Sequence, residues 1–397
     1  MMRNASSTSR FDFPGLWPTP DQMLVLRAAL FDDASAKDAF LTWVRSIDLE
    51  ENFDGGTFRL LPLLHANLLR QGIEHPLMNR LKGVYRMAWY KNLQLFHAVS
   101  PVLATLQSAQ IPIFLLKGIP LALKYYPSHA QRPMADVDIL VPQQRVIEAD
   151  AILRGLGFTA DIGRPVADCL RFTHSLDYYQ GDISKIDLHW RVLPFHRLSA
   201  ESVYWNTAQP LDFNGLDSLM PDPTRLLFHT VVHGVCWNPL PPVRWIADSV
   251  FILRGAGSSI RWDELVEFAH QQCAVNRLLP GLSFLKEKLD VDIPGDAIAE
   301  LKRHGTTLIE VIDNICIVRN DKPETTFGRF LAAFGTCCRL LWTQKPIPFL
   351  MGILDGLKFW WRLQRKREIV PFVARTMLRK FKAFVVSAAP LHRMPRP

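Results

Sequence analysis

The chain has 397 residues, 48% of them hydrophobic and 21% charged, which is the balance of a packed protein rather than a disordered one and length enough for two or three cores. Six scattered cysteines form no CxxC pair, so neither a zinc ribbon nor a disulfide framework is suggested and a reducing cytosol is the simplest setting. The net charge of +8 is concentrated at the end, where ten Arg and Lys against one Glu follow Trp361, so it is not a nucleic-acid footprint of the whole molecule.

Residues 1–20 are polar and interrupted by proline, without the apolar core of a secretory signal, and read as a disordered leader. No run approaches the ~18 apolar residues of a membrane span, so a soluble, cytoplasmic protein is expected. From 21 to 110 the pattern is helical: Phe40, Trp43, Val44 and Ile47 recur at helical spacing, Leu60 to Leu69 form an amphipathic run, and Leu77 to Gln110 read as a long helix interrupted near Pro101. The aromatic residues here are core candidates.

The period then changes. Ile113 to Leu116 is a buried-strand candidate, Ile119 to Tyr126 a short helix, Pro127 to Ala135 a loop, and Val137 to Val141 a second strand. Pro142 suits the first turn of a helix over 143–156. Phe172 to Tyr179 and Ile183 to Val192, joined at Gln180-Gly181-Asp182, read as a hairpin. The result over 111–220 is an α+β unit, a small mixed sheet flanked by helices, with another short hairpin at 211–219. Residues 221–325 read as a helical domain and 326–397 as a basic, aromatic extension.

Two carboxylates, Asp136 and Asp138, stand two apart, so alternation in a strand points both to one face. In the hairpin's second arm Asp187, His189 and Arg191 share a face. If that arm lies beside the Asp136 strand, Asp187 becomes a third carboxylate at the same point. Such a set suits Mg²⁺ or Mn²⁺, hard ions that prefer oxygen and keep places for substrate phosphates. Gly118 lets phosphate oxygens approach the backbone at a helix start, and Lys117 or Arg132 offers charge to a triphosphate. His229 and His233 stand at i and i+4, but Thr230 occupies the position of a zincin's general base, which favours a structural role. Arg244 and Asp248 read as an i,i+4 pair bracing a helix.

The order Leu116-Lys117-Gly118, Tyr126, Arg132, Asp136-Val137-Asp138-Ile139-Leu140-Val141 resembles an uncharacterised bacterial nucleotidyltransferase-like family with an LKG and R-x-x-x-D-x-D-x-L-V signature, within the DNA polymerase beta-type superfamily. Ile186 to Arg191, His233-Gly234 and Arg244-Trp245-x-x-Asp248 are similar to its later blocks, over roughly residues 30–300. The resemblance implies metal ligation by Asp136, Asp138 and Asp187, with Asp187 also a base toward the acceptor and Gly118 the phosphate-side glycine. Two departures from the superfamily stand beside it: Ile119 follows Gly118 where Ser or Gly is usual, and Ala135 replaces a small hydroxyl residue.

The expected activity is Mg²⁺-dependent transfer of a nucleoside monophosphate from an NTP to a hydroxyl or phosphate on a small-molecule, sugar or peptide acceptor, in natural-product or polysaccharide biosynthesis. The alternative, motivated by Ile119, is a non-catalytic binding or scaffold protein on the same fold. No specific nucleic acid is expected as partner. Phe359-Trp360-Trp361 beside Arg362, Arg365, Lys366 and Arg367 offers a weak peripheral contact with anionic membrane or an acidic partner.

Overall fold

A computed structural model describes residues 15–47, 53–160, 164–181, 184–194, 199–235, 243–311, 334, 338, 346–372 and 374–375. The chain divides into two compact units, Met1–Val311 and Ile312–Pro397. All of the site residues discussed below lie in the first.

That unit opens with helices α1 (Pro20–Leu30), α2 (Ala34–Ser46), α3 (Gly55–Phe58), α4 (Leu61–Arg70) and α5 (Met78–Ser108). At α1 the Thr19 hydroxyl accepts from the Gln22 amide while the Gln22 side chain accepts from Thr19, and Pro20 fills the first position, where no donor is needed. Leu26, Phe40, Trp43, Leu61 and Leu64 are buried where these helices meet, each worth about 1.5–3 kcal/mol of burial. The expected interruption at Pro101 does not occur. Proline removes one backbone donor, but Val99, Val102 and Leu103 are buried on either side of it and hold α5 continuous. Most of the leader lies outside the described residues, yet Trp17 within it is buried and stacks on Phe284 at 4.8 Å.

The α+β core follows as β1 (Phe114–Leu116), α6 (Gly118–Lys124), β2 (Val137–Leu140), α7 (Val146–Gly155), β3 (Thr159–Ala160), α8 (Val166–Cys169), β4 (Ser175–Gln180), β5 (Ser184–His189), α9 (Ser199–Asn206), β6 (Gln209–Phe213) and β7 (Leu216–Met220). The strands form one mixed sheet in the order β3-β4-β5-β2-β1-β7-β6. β2 runs antiparallel to β1 and parallel to β5, and β5 continues antiparallel to β4. The α+β expectation therefore holds, with the later hairpin joined to the same sheet through β7 beside β1. Asn214 and Gly215, both at positive φ, make the tight β6–β7 turn. All four β2 residues are buried, the polar member Asp138 among them.

The unit closes with α10 (Pro223–Gly234), α11 (Arg244–Ala256), α12 (Trp262–Gln271), α13 (Val275–Leu289) and α14 (Gly295–His304). Asp222 caps α10 by accepting from the Thr224 and Arg225 amides. α10 and α11 approach so closely at Gly234 that a Cβ there would fall 2.1 Å from the Trp245 ring. The second unit contains a helix over Pro346–Trp360 and an ion pair of Lys366 with Asp355 at 2.8 Å. The basic tail from 376 onward lies outside the described residues. Among the described residues no helix is long and apolar enough to cross a membrane.

Candidate active site

Register builds the site. Asp138 on β2 is directly paired with Asp187 on β5, and Asp187 with Asp177 on β4. Paired residues on neighbouring strands share a face, so three aspartates form a row across three strands, spaced by about 4.8 Å of sheet. Like charges so placed repel one another, and the structure answers with cations. Lys117 Nζ lies 2.8 Å from Asp138 Oδ1, and His189 Nε2 lies 3.1 Å from Asp138 Oδ1 and 2.9 Å from Asp187 Oδ2. His189 Nδ1 faces the Arg191 carbonyl at 3.2 Å, so both ring nitrogens have acceptors, the pattern of an imidazolium.

The electrostatics agree with this geometry. Burial alone would lower the His189 pKa, but Asp187 and Asp138 raise it to about 9. Burial would raise both carboxyls; instead His189 holds Asp187 at about 2, and Lys117 with His189 holds Asp138 well below the usual range. Lys117 keeps its proton because Asp138 outweighs the cost of burial. Lys117 also sits at φ 44°, ψ −93°, an uncommon conformation for a residue with a Cβ, between the end of β1 and the start of α6.

The residues singled out in the sequence are distributed as follows. Lys117, Asp138 and Asp187 converge. Asp136 precedes β2, is half-buried, and faces Lys185 Nζ at 3.6 Å, while Lys185 also reaches Asp177 at 3.2 Å. Burial and the Asp138 charge push the Asp136 carboxyl up. Gly118 opens α6 and is packed rather than open: a Cβ there would come 2.9 Å from Met134 Sδ. Arg132 is 3% exposed and gives Nε and Nη2 to Asp248 at 2.9 and 3.0 Å.

This last pair corrects the i,i+4 reading of Arg244 and Asp248. Asp248 also accepts from the Tyr126 hydroxyl at 2.8 Å, and Arg244 donates to the Pro133 carbonyl at 2.7 Å, so both side chains reach across to the loop before β2 instead of bracing α11. Arg191 falls beyond the end of β5, and its guanidinium donates to the Leu170 carbonyl at 2.6 Å. The His229 and His233 rings are 5.9 Å apart on α10. The Lys117 charge, then burial, lowers His233 to about 3.

Three contributors carried too little sequence signal. His189 shares the Asp187 face by alternation, but only tertiary pairing makes it the bridge between two aspartates. Asp177 joins the row through hairpin register alone. Asn92 on α5 is fully buried, donating to the His129 and Arg132 carbonyls at 2.6 and 3.0 Å and accepting from the Met134 amide at 3.0 Å, so it fixes the loop that carries Arg132. A lone asparagine in a long helix announces none of this.

Among the described residues the group with metal-ligand spacing is Asp138, Asp187 and His189, whose ligand atoms lie within 4.8 Å of one another. The fit to a divalent cation is supported by Asp187 Oδ1, which is buried and has no hydrogen-bond partner. An enclosed carboxylate oxygen with a free lone pair beside a second carboxylate suits a hard ion.

A mixed sheet that lines up carboxylates from neighbouring strands behind a lysine-glycine turn is the core of a nucleotidyltransferase-like protein. The chain belongs to the family described as uncharacterised nucleotidyltransferase, whose model matches residues 57–290. Among solved structures, the antibiotic-resistance factor ANT(2'')-Ia is 14% identical with a TM-score of 0.32, over 47% of this chain and 94% of that one. An antigenic nucleotidyltransferase-like protein from Paracoccidioides brasiliensis is 14% identical with a TM-score of 0.35, over 52% of this chain and 96% of that one. The comparison with curated proteins gives no match.

Proposed function

We propose that the protein transfers a nucleoside monophosphate from an NTP to a hydroxyl or phosphate acceptor, with Asp138 and Asp187 holding a divalent metal such as Mg²⁺ and Asp136 at the mouth of the site. The observation that carries this reading is the direct pairing of Asp138 with Asp187, one buried oxygen of which is unsatisfied. When bound, the metal would supply charge to the α-phosphate and polarise the attacking oxygen. The acceptor oxygen forms the new bond to the α-phosphorus as the bond to pyrophosphate breaks, and the acceptor's proton leaves to solvent.

The chain's own part is positional. Lys117 brings a cation to the phosphate side, and the Asn92-held loop keeps Arg132 and Asp248 fixed behind it. His189 keeps Asp187 ionised at about 2, which suits a ligand better than a proton acceptor, since a general base works best with a pKa near the operating pH. The role of base toward the acceptor is therefore not assigned to Asp187.

The test is transfer of label from α-labelled NTPs to candidate acceptors with Mg²⁺. Asp138→Asn and Asp187→Asn should each lower transfer by about 10²-fold or more, as expected when charge stabilisation of a transition state is lost. Transfer at the wild-type rate in both variants would sink the reading.

A further inference from the structure

Next to the aspartate row lies a cavity of about 260 Å³ lined by Arg59, Lys117, Arg132, Arg244, Trp245 and Asp248, among others. Its charges do not balance. Lys117 is matched by Asp138 and Arg132 by Asp248. Among the described residues Arg244 donates only to the neutral Pro133 carbonyl, and the exposed Arg59 forms no ion pair. Trp245 is 5% exposed, and its buried indole N–H has no acceptor. Burial, then the neighbouring Arg132, depress Arg244 to about 10, with Asp248 and Asp136 only partly offsetting them.

The one carboxylate among the described lining residues, Asp248, is already bonded to Arg132, and the donors left over call for a ligand made of acceptor oxygens. Two guanidinium groups with no carboxylate in hydrogen-bond contact match a doubly charged phosphate better than a singly charged carboxylate, and their forked N–H groups suit its oxygens. We propose that this cavity binds a phosphate-class oxyanion through Arg59, Arg244 and the Trp245 N–H, beside the aspartates. The oxyanion comes either from the terminal phosphates of the nucleotide or from a phosphate on the acceptor, and this choice of sources rests on the transfer reading above.

Calorimetric titration of the full chain in EDTA, with ATP, inorganic pyrophosphate and glycerol phosphate as probes, tests it. At least one probe should bind without metal. Arg59→Gln and Arg244→Gln should each weaken that binding by about tenfold, the scale of a charge-assisted contact, and Trp245→Phe by about threefold. Arg59 is exposed, so its variant tests the proposal even if the Arg244 variant fails to fold. Binding of ATP and pyrophosphate in competition, without glycerol phosphate, assigns the nucleotide as source; the reverse assigns the acceptor. Asp138→Asn, which releases Lys117, should retain or tighten oxyanion binding while losing transfer, so the two readings fail separately. No binding of any probe in EDTA, or binding unchanged in Arg59→Gln and Trp245→Phe, would overturn the proposal.

Discussion

His189 is the residue on which the balance of the site turns. Its pKa is raised from 6.5 to about 9 in the folded chain, so the imidazolium contributes stability that is complete below pH 6.5 and lost as pH rises through about 9. A shift of this size corresponds to about 3 kcal/mol. Urea unfolding in EDTA should show the wild type losing stability on that order between pH 6 and 10, while His189→Gln lacks this component; parallel pH profiles for the two would refute the assignment. Gly118 gives a second, cleaner test. Its backbone is compatible with alanine, and the atom that a Cβ would press is the movable end of Met134. Gly118→Ala should therefore change stability by no more than about 1 kcal/mol, alanine's advantage over glycine in a helix offsetting the crowding at Met134. If the glycine serves phosphate approach, transfer falls while the melting temperature holds; unchanged transfer would leave it as a packing residue.

At the scale of elements, the loop between α6 and β2 is fastened from two sides, by Asn92 on α5 and by Asp248 and Arg244 on α11. Removing one partner of a buried ion pair leaves the other charge uncompensated, at about 3–5 kcal/mol. Asp248→Ala should lower the unfolding free energy by that amount. It should also reduce transfer although Asp248 does not contact Asp138, because the loop leads directly into β2. A variant as stable as wild type would show that Arg132 is neutralised elsewhere. The same connection explains why the local i,i+4 reading failed: a helix places Arg244 and Asp248 within reach, but the loop offers each a buried partner that solvent cannot replace.

On the scale of the molecule, the aspartate row, Lys117 and the cationic cavity all belong to the unit Met1–Val311. A protein ending at Val311 should unfold in one cooperative transition by circular dichroism and keep the labelled transfer; loss of either would give residues 312–397 a part in the site or its stability. The charge distribution points the same way, since the excess basicity follows Trp361 and not the cleft.

Short apolar runs bounded by turn residues were enough to read β1 and β2 from the chain, and alternation to read the β4–β5 hairpin and to place Asp136, Asp138 and Asp187 on strand faces, because side-chain direction in a strand is a local property. The start of α10 was legible because its first-turn amides are met by Asp222, a neighbour in sequence, whereas the Thr19 cap of α1 fell within the stretch read as a leader. Which carboxylates meet was not local. The parallel register of β2 with β5 pairs Asp138 with Asp187 and leaves Asp136 at the strand's edge facing Lys185, and hairpin register adds Asp177 to the row. The cationic cavity was equally hidden, since Arg59, Lys117 and Arg244 lie far apart in the chain and become one electrostatic unit only after packing removes the water that would screen them.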